Sequence, residues 1–241
     1  MTEPFTCVVS ADLFRRAQFG VSKDETRYYL NGVNIKACKS GGAILTATDG
    51  RIVVSIRDPR GVVTGAGTVQ LKPSLLSILK ATAGDMRSPH LSSERIVAVS
   101  GEGLNARAMV AVSGKPFKTG GSDEETDPRQ TDLARLSALD QWVMGYQWDN
   151  VVIDDTFPDT GRVIPKELKA EGPAAMFDHT LLSRCANALC AKGRNGIKMF
   201  SSGTDQDLYV MRPYDDEIDG FAVIMPMRND RKAELPGFAI E

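Results

Sequence analysis

Three times along this chain a short strand leads into an amphipathic stretch and then into further strands. That recurrence limits the possible folds more than any other feature, because such units bury their apolar faces by stacking on one another. The first copy opens with PFTCVVS as a strand. SADLFRRAQFGVSKDE follows as a helix, with Ser10 as N-cap and Leu13, Phe14 and Ala17 on one face. RYYLNGVNIKA, AILTATDG and RIVVSIRD then read as strands broken by Asn-Gly, Gly-Gly and Asp-Gly turn signals. The second copy starts at GTVQLKPSLLSILKATAGD. Val69 and Leu71 belong to its strand, Leu75, Leu76 and Leu79 form an apolar stripe, and RIVAVSG and LNARAMVAVSG supply later strands. A third copy runs from AAMF through DHTLLSRCANALCAKGR, with Asp178 capping and Leu181, Leu182, Cys185 and Leu189 facing inward. GIKMFSSG, DLYVMRP and FAVIMPMR are its strands.

Between the second and third copies the pattern stops. Residues 116–132, PFKTGGSDEETDPRQTD, are polar, acidic and Gly/Pro-broken, as expected of an exposed, mobile loop. A short helix is expected from Leu133 to Trp142, and the Trp and Met of LARLSALDQWVMGYQW read as core in preference to interface. RNDRKAELPGFAIE, after Met227, extends beyond the last strand.

Composition excludes several classes of function. The 241 residues are 42% apolar, enough for a real core, yet no apolar run approaches the roughly 20 residues that span a bilayer. MTEPFTCVV lacks a basic n-region followed by an apolar block, so a soluble, cytoplasmic protein is expected, with no membrane partner. Cys7, Cys38, Cys185 and Cys190 have neither zinc-knuckle nor redox Cys-x-x-Cys spacing and read as reduced, partly buried thiols. His90 and His179 have no partner at ligand spacing, which argues against a metal site or a histidine triad. GVVTGAG lacks the Lys-Ser/Thr of a phosphate-binding loop. Asp154, Asp155 and Asp159, and Asp215, Asp216, Glu217 and Asp219, could in principle hold two magnesium ions in a nuclease, but both clusters read better as solvated turns. No nucleophile-base set is visible, so neither an enzyme nor a cofactor is expected.

The formal charge of −2 is unevenly spread. The three helical stretches 10–23, 72–87 and 178–194 carry nine Lys/Arg against three Asp/Glu, while the remainder carries 20 against 28. Local sign rather than net charge governs attraction to a polyanion. Solvated helix faces would also collect cations, and that reading stays open for any single residue.

RYYLNG with ATDGRIVV, FPDTGRVIPK and IMPMR, in that order, resemble the middle-domain signature, the linker into the last domain and the C-terminal strand of bacterial-type DNA polymerase sliding clamps, the beta-clamp family. The likeness covers roughly residues 5–115 and 150–228. It implies an α+β DNA-clamp fold, in which repeated strand-helix-strand units line a ring with helices and carry antiparallel sheets outside. The domains implied are 1–115, resembling the middle domain with two repeats; 116–149, an insertion; 150–228, a shortened C-terminal domain; and 229–241, an extension. The family's first domain and about half of its last have no counterpart.

The resemblance implies a processivity factor that encircles and slides on duplex DNA without reading sequence, tethering a replicative polymerase and handled by a clamp loader. Phosphate contacts are expected from Arg15, Arg16, Lys23, Lys72, Lys80, Arg87, Arg184, Lys192 and Arg194 on the helices. Arg27, Tyr28 and Tyr29 are expected on a loop at the ring face, although strand alternation would turn one tyrosine into ordinary packing. A pocket for partner peptides is implied at Thr48, Gly50, Arg51, Val53, Pro158, Arg162, Val163, Val223, Met225, Met227 and Arg228. Arg51-Ile52-Val53 stands where the family has His-Arg-Leu, which bears on ligand preference. Leu235 and Phe238 in the tail suggest a segment that could occupy this pocket or a neighbour's.

Twelve repeats close a ring in this superfamily. Three per chain imply a homotetramer, and a fourth within 116–149 would imply a trimer. A clamp mimic that intercepts another clamp or its partners is the alternative. A shortened clamp with an insertion is consistent with a phage, acting inside a bacterial host, as well as with a cellular chromosome.

Overall fold

The run IVVSIRD places apolar residues on both of its faces, and the architecture follows from covering both. In β4 (Ile52–Asp58), Ile52, Val54 and Ile56 enter one core while Val53 enters another on the opposite face, as the two-residue period of a strand requires. A helix covers one face and an irregular linker the other. The computed structural model describes residues 5–79, 95–101, 105–112, 143–165, 167–168, 175–190, 196–202, 208–213 and 218–227.

The first repeat consists of β1 (Phe5–Ser10), α1 (Ala11–Ala17), β2 (Val33–Ala37), β3 (Ala43–Thr48) and β4. β5 (Val62–Thr64), β6 (Ala66–Val69), α2 (Pro73–Ser77), β7 (Arg95–Gly101), β8 (Arg107–Val112) and β9 (Val143–Gln147) form the second. After β10 (Val152–Ile153), the third comprises α3 (His179–Leu189), β11 (Ile197–Ser201), β12 (Tyr209–Pro213) and β13 (Gly220–Ile224). The first two repeats exchange their opening strands. β1 pairs with β7 of the second repeat, and β6 pairs with β2 of the first. Gly65, at φ +74°, lets the chain step from β5 in one sheet to β6 in the other. The resulting antiparallel sheets run β5-β1-β7-β8-β9 and β10-β6-β2-β3-β4-β13-β12-β11. The pairing of β4 with β13 carries the second sheet across from the first repeat into the third.

Helices on the inner faces complete the cores. Phe14 and Ala17 of α1 pack with Leu75, Leu79, Val97, Val99, Ile35 and Leu45 between the sheets. Leu181, Cys185 and Leu189 of α3 lie on Ile52, Val54, Ile56, Met211 and Ile224. Leu13 and Phe19 pack against this second core, so the α1 segment serves both. On the outer face, Val53, Val210 and Val223 form a small cluster capped by Ile164 of the linker.

Several expectations need correction. The part of RYYLNGVNIKA before the Asn-Gly turn is not a strand: Glu25–Leu30 forms a 3-10 turn, and β2 starts only at Val33. Asp24 causes this, because its carboxylate accepts from the Thr26 amide and hydroxyl and from Arg27 Nε. Ser10 holds the N-cap position without a capping side-chain bond, and its own amide donates to Asp58 at 2.7 Å. Asp178 does cap α3, accepting from the Thr180 amide at 2.8 Å. β9 joins β8 in the five-stranded sheet, so the boundary drawn at 115 falls inside that sheet. Met144 lies on the exposed face of β9, not in the core. The expected helix Leu133–Trp142, the acidic loop 116–132 and the tail after Met227 lie outside the described residues.

Candidate functional site

Two turns and the linker converge at the open end of the β3, β4 and β13 strands. The first is the Asp-Gly turn. Asp49 Oδ1 accepts the amides of Arg51 and Ile52 at 2.8 and 3.0 Å, and the Thr48 hydroxyl donates to the Ile52 carbonyl at 2.7 Å. Gly50, at φ +88°, supplies the left-handed residue, and a Cβ there would stand 2.8 Å from Arg27 Nη1. Arg184 of α3 donates through Nη1 to the other Asp49 oxygen, while its Nε and Nη2 donate to the carbonyls of Phe19 and Val21 at 2.8 and 3.0 Å. One guanidinium thus fixes three strands of chain.

The second turn is Glu25–Leu30. Three donors converge on Asp24, first the Thr26 hydroxyl, then its amide and Arg27, and hold the carboxyl at about 2 against an ordinary 3.8. The Tyr28 phenol reaches Asp155 of the linker, whose carboxylate raises the phenol's pKa, and Tyr28 stands edge-on to Tyr29 with centroids 6.2 Å apart. Asp159 then caps Thr160–Arg162 by accepting from the Gly161 amide at 3.1 Å.

These pieces enclose a cavity of about 270 Å³. Its wall is Leu30, Thr48, Ile52, Val53, Pro158, Val163, Leu208, Val223 and Met225, with Arg27, Tyr29, Gly50, Arg51, Asp159 and Thr160 completing it. The Met225 amide donates to the Arg51 carbonyl at 3.0 Å, which prolongs the β4–β13 pairing and brings Met225 to the rim. Such a site can take a bulky apolar side chain on an extended segment, with the exposed Arg51 beside it for an acidic or polar flank.

Eight of the eleven positions picked from sequence line this one cavity: Thr48, Gly50, Arg51, Val53, Pro158, Val163, Val223 and Met225. Arg162 does not. Its side chain is 85% exposed and turned to Asp159. Met227 also lies off the wall, its amide bonded to the Met176 carbonyl at 2.7 Å, and Arg228 is outside the described residues. Arg27 and Tyr29, expected from sequence at DNA, line this cavity. Leu30, Ile52, Asp159, Thr160 and Leu208 also line it and are not among those eleven positions. Leu208 was within reach of register, since it precedes the β12 strand whose Val210 faces Val223.

No family model matches the chain, and no curated protein matches it in sequence. Solved structures do. Over 95% of its length the chain is similar to the DNA polymerase III beta sliding clamp of Bartonella birtlesii, bound to griselimycin, with a TM-score of 0.57, 15% identity and 67% of that clamp covered. The beta subunit of Thermotoga maritima gives 0.57 at 14% identity, with 95% and 66% covered. The Helicobacter pylori beta clamp, bound to a DNA ligase peptide, gives 0.56 at 11%, with 95% and 67% covered. The fold is that of a sliding clamp. The chain spans about two thirds of the length of these clamps.

Within the clamp fold the helix cations are not equivalent. Arg16 is 8% exposed, and its guanidinium donates to Asp12 and to the Cys190 carbonyl, so it joins α1 to the end of α3 and cannot face a phosphate. Arg184 is likewise bonded through all three of its nitrogens. Both leave the phosphate-facing set. Arg15 pairs with Asp12 at 2.8 Å and Lys72 with Asp149 at 2.7 Å, both at partly exposed sites where solvent ions compete easily. Lys23 is exposed and Tyr28 is 54% exposed. Lys80, Arg87, Lys192 and Arg194 lie outside the described residues. Three of the described acidic residues have local structural duties: Asp155 meets Tyr28, Asp159 caps a turn and Asp219 pairs with Arg57. Asp215, Asp216 and Glu217 are outside the described residues.

Proposed function

We propose that this chain is a DNA polymerase processivity factor: a closed homo-oligomeric ring that encircles duplex DNA, slides on it, and tethers a polymerase and other partners through the 270 Å³ cavity. The observation that carries the reading is the cavity itself. Eight positions chosen from three separated sequence segments surround one apolar space on a clamp fold, and a pocket that binds several partners needs such pliant apolar walls with a cation nearby. The ligase peptide held by the Helicobacter pylori clamp supports a peptide as the ligand class. Arg15, Lys23, Lys72 and Tyr28 are the described residues proposed to face DNA, with Lys80, Arg87, Lys192 and Arg194 beside them.

Three repeats per chain favour four subunits, joined head to tail through edge strands, with a loader needed to open the ring on DNA. The protein would act in the cytoplasm of a bacterial cell, at the nucleoid or at a phage replication site. Static light scattering tests the assembly: four times the 26.1 kDa chain mass is expected, three times would favour the trimer, and a monomer at micromolar concentration would contradict the ring. One observation favours a second reading. With Arg16 and Arg184 committed inside the fold, the described inner surface offers phosphate fewer cations than the sequence suggested, as a clamp mimic that binds partners rather than DNA would permit.

A further inference from the structure

β13 leads the chain to the mouth of the peptide cavity and past it. Beyond Ile224 the Met225 amide pairs with the Arg51 carbonyl at 3.0 Å, and Met225, half exposed, forms part of the rim. Two residues later the Met227 amide donates to the Met176 carbonyl at 2.7 Å, which fixes the point from which residues 228–241 depart. Those residues lie outside the described ones, and their sequence divides in two. RNDRKAE is charged and polar, with Ala233 as its one apolar residue, and reads as a solvated spacer. LPGFAIE then brings Leu235, Phe238 and Ile240 close together. Leu235-Pro236-Gly237-Phe238 has proline and glycine at the two central positions of a type II turn, and such a turn holds its first and fourth Cα atoms within about 7 Å. The sequence thus encodes Leu235 and Phe238 as one compact apolar pair.

We propose that Leu235 and Phe238 occupy the 270 Å³ cavity of their own chain, so that the tail competes there with the peptides of partner proteins. Reach permits it. Met227 stands no more than about 7 Å from Met225, and the stretch from Met227 to Leu235 extends to about 26 Å, enough to fold back over the rim. Chemistry favours it, because Leu30, Val53, Val163, Leu208, Val223 and Met225 offer an apolar wall and the spacer offers the pair nothing to pack against. Pro236 lowers the cost, since it restricts the chain before binding. A segment held on a short spacer acts at roughly millimolar effective concentration, and a free peptide must displace it. The contact rests on reading the cavity as a peptide site and adds to that reading a competitor built into the chain.

Methyl NMR on the full chain tests the contact. The double variant Leu235→Ser with Phe238→Ser removes the apolar pair, and the methyls of Ile56 and Leu189, buried in the α3 core, report that the fold is kept. The methyls of Val53, Val223 and Met225 are expected to shift in this variant while those of Ile56 and Leu189 hold their positions. A synthetic peptide of residues 230–241, DRKAELPGFAIE, should then return the shifted signals to their wild-type positions. It should bind the double variant about tenfold more tightly than the wild type, whose cavity is already filled. Identical cavity methyls in the two proteins, or equal affinity of the peptide for both, would overturn the proposal. In a mixture of isotope-labelled double variant and unlabelled wild type, wild-type cavity signals on the labelled chain would place the tail in a neighbour's cavity and overturn the contact as well. Light scattering on the same samples keeps this contact apart from the ring: a monomer whose cavity methyls still answer to the tail would uphold the contact and count only against the assembly proposed above.

Discussion

Arg184 on α3 and Asp49 in the β3–β4 turn form an ion pair that ties a helix of the third repeat to the wall of the candidate peptide cavity. Asp49 is only 12% exposed and divides its two oxygens, one for the turn's own amides and one for the guanidinium. The cavity's shape therefore depends on contact between repeats as well as on the turn's local sequence. Arg184→Ala leaves a partly buried carboxylate without its counter-charge and is expected to cost roughly 1–3 kcal/mol. Affinity for an apolar peptide should fall with it, because Thr48 and Gly50 lose their anchor. Arg184→Lys keeps the charge but cannot reproduce the three-way fork, so only part of the stability should return. Urea unfolding with calorimetric peptide titration checks both effects, and wild-type values in Arg184→Ala would refute the coupling.

Packing and binding should separate cleanly between Phe14 and Met225. Phe14 is fully buried where the two sheets meet α1, and its truncation to Ala is expected to cost about 3–5 kcal/mol. Met225 is 49% exposed at the cavity rim. Met225→Ala should leave stability within about 0.5 kcal/mol of wild type while weakening peptide binding. A large loss of stability in Met225→Ala would place that residue in the core instead.

Acid should reach the Glu25–Leu30 turn late. The folded carboxyl of Asp24 sits at about 2, below its ordinary 3.8, so it favours the folded state fully above the ordinary value and loses that effect as pH falls through about 2. An NMR titration of the Asp24 carboxyl carbon should therefore show its midpoint near 2. In Thr26→Ala, which removes the leading hydroxyl donor, the midpoint should rise toward 3.8. An Asp24 midpoint already at 3.8 in the wild type would mean the turn is not capped as described.

Thiol chemistry should discriminate among the cysteines. Burial pushes Cys7 and Cys185 up to about 12, whereas the Ser40 hydroxyl and amide, with Arg57 nearby, lower Cys38. Under native conditions iodoacetamide should label Cys38 well before Cys7 or Cys185, read by peptide mass spectrometry. Fast labelling of Cys185 would show that α3 opens readily.

Most strands could be read from sequence because they lie in apolar runs with clear turn residues at their ends. RIVAVSG is β7 residue for residue, and the third-repeat helix begins at its Asp178 cap. Partnership over distance was not legible. Nothing in LFRRAQF separates Arg15, whose partner is four residues or fewer away, from Arg16, which reaches the Cys190 carbonyl. Arg27 to Leu30 carry a strand-like alternation, yet a single carboxylate at Asp24 gathers three donors and winds them into a turn. β9 was hidden for another reason: residues 113–142 separate it from the β8 strand it pairs with. Of the cavity, the motif segments came through the family resemblance, whereas Leu30 depends on how the Asp24 turn is wound and Leu208 on strand register.

Enclosure of DNA by the subunits is the property that makes a processivity factor of this chain. A duplex tethered to a bead at one end offers a free end over which a ring can thread; that end is then blocked with streptavidin or left open, and both samples are washed at high salt. Screening removes phosphate contacts but not a topological link. The protein is predicted to stay on the blocked duplex and to leave the open one. Equal loss from both would contradict the ring.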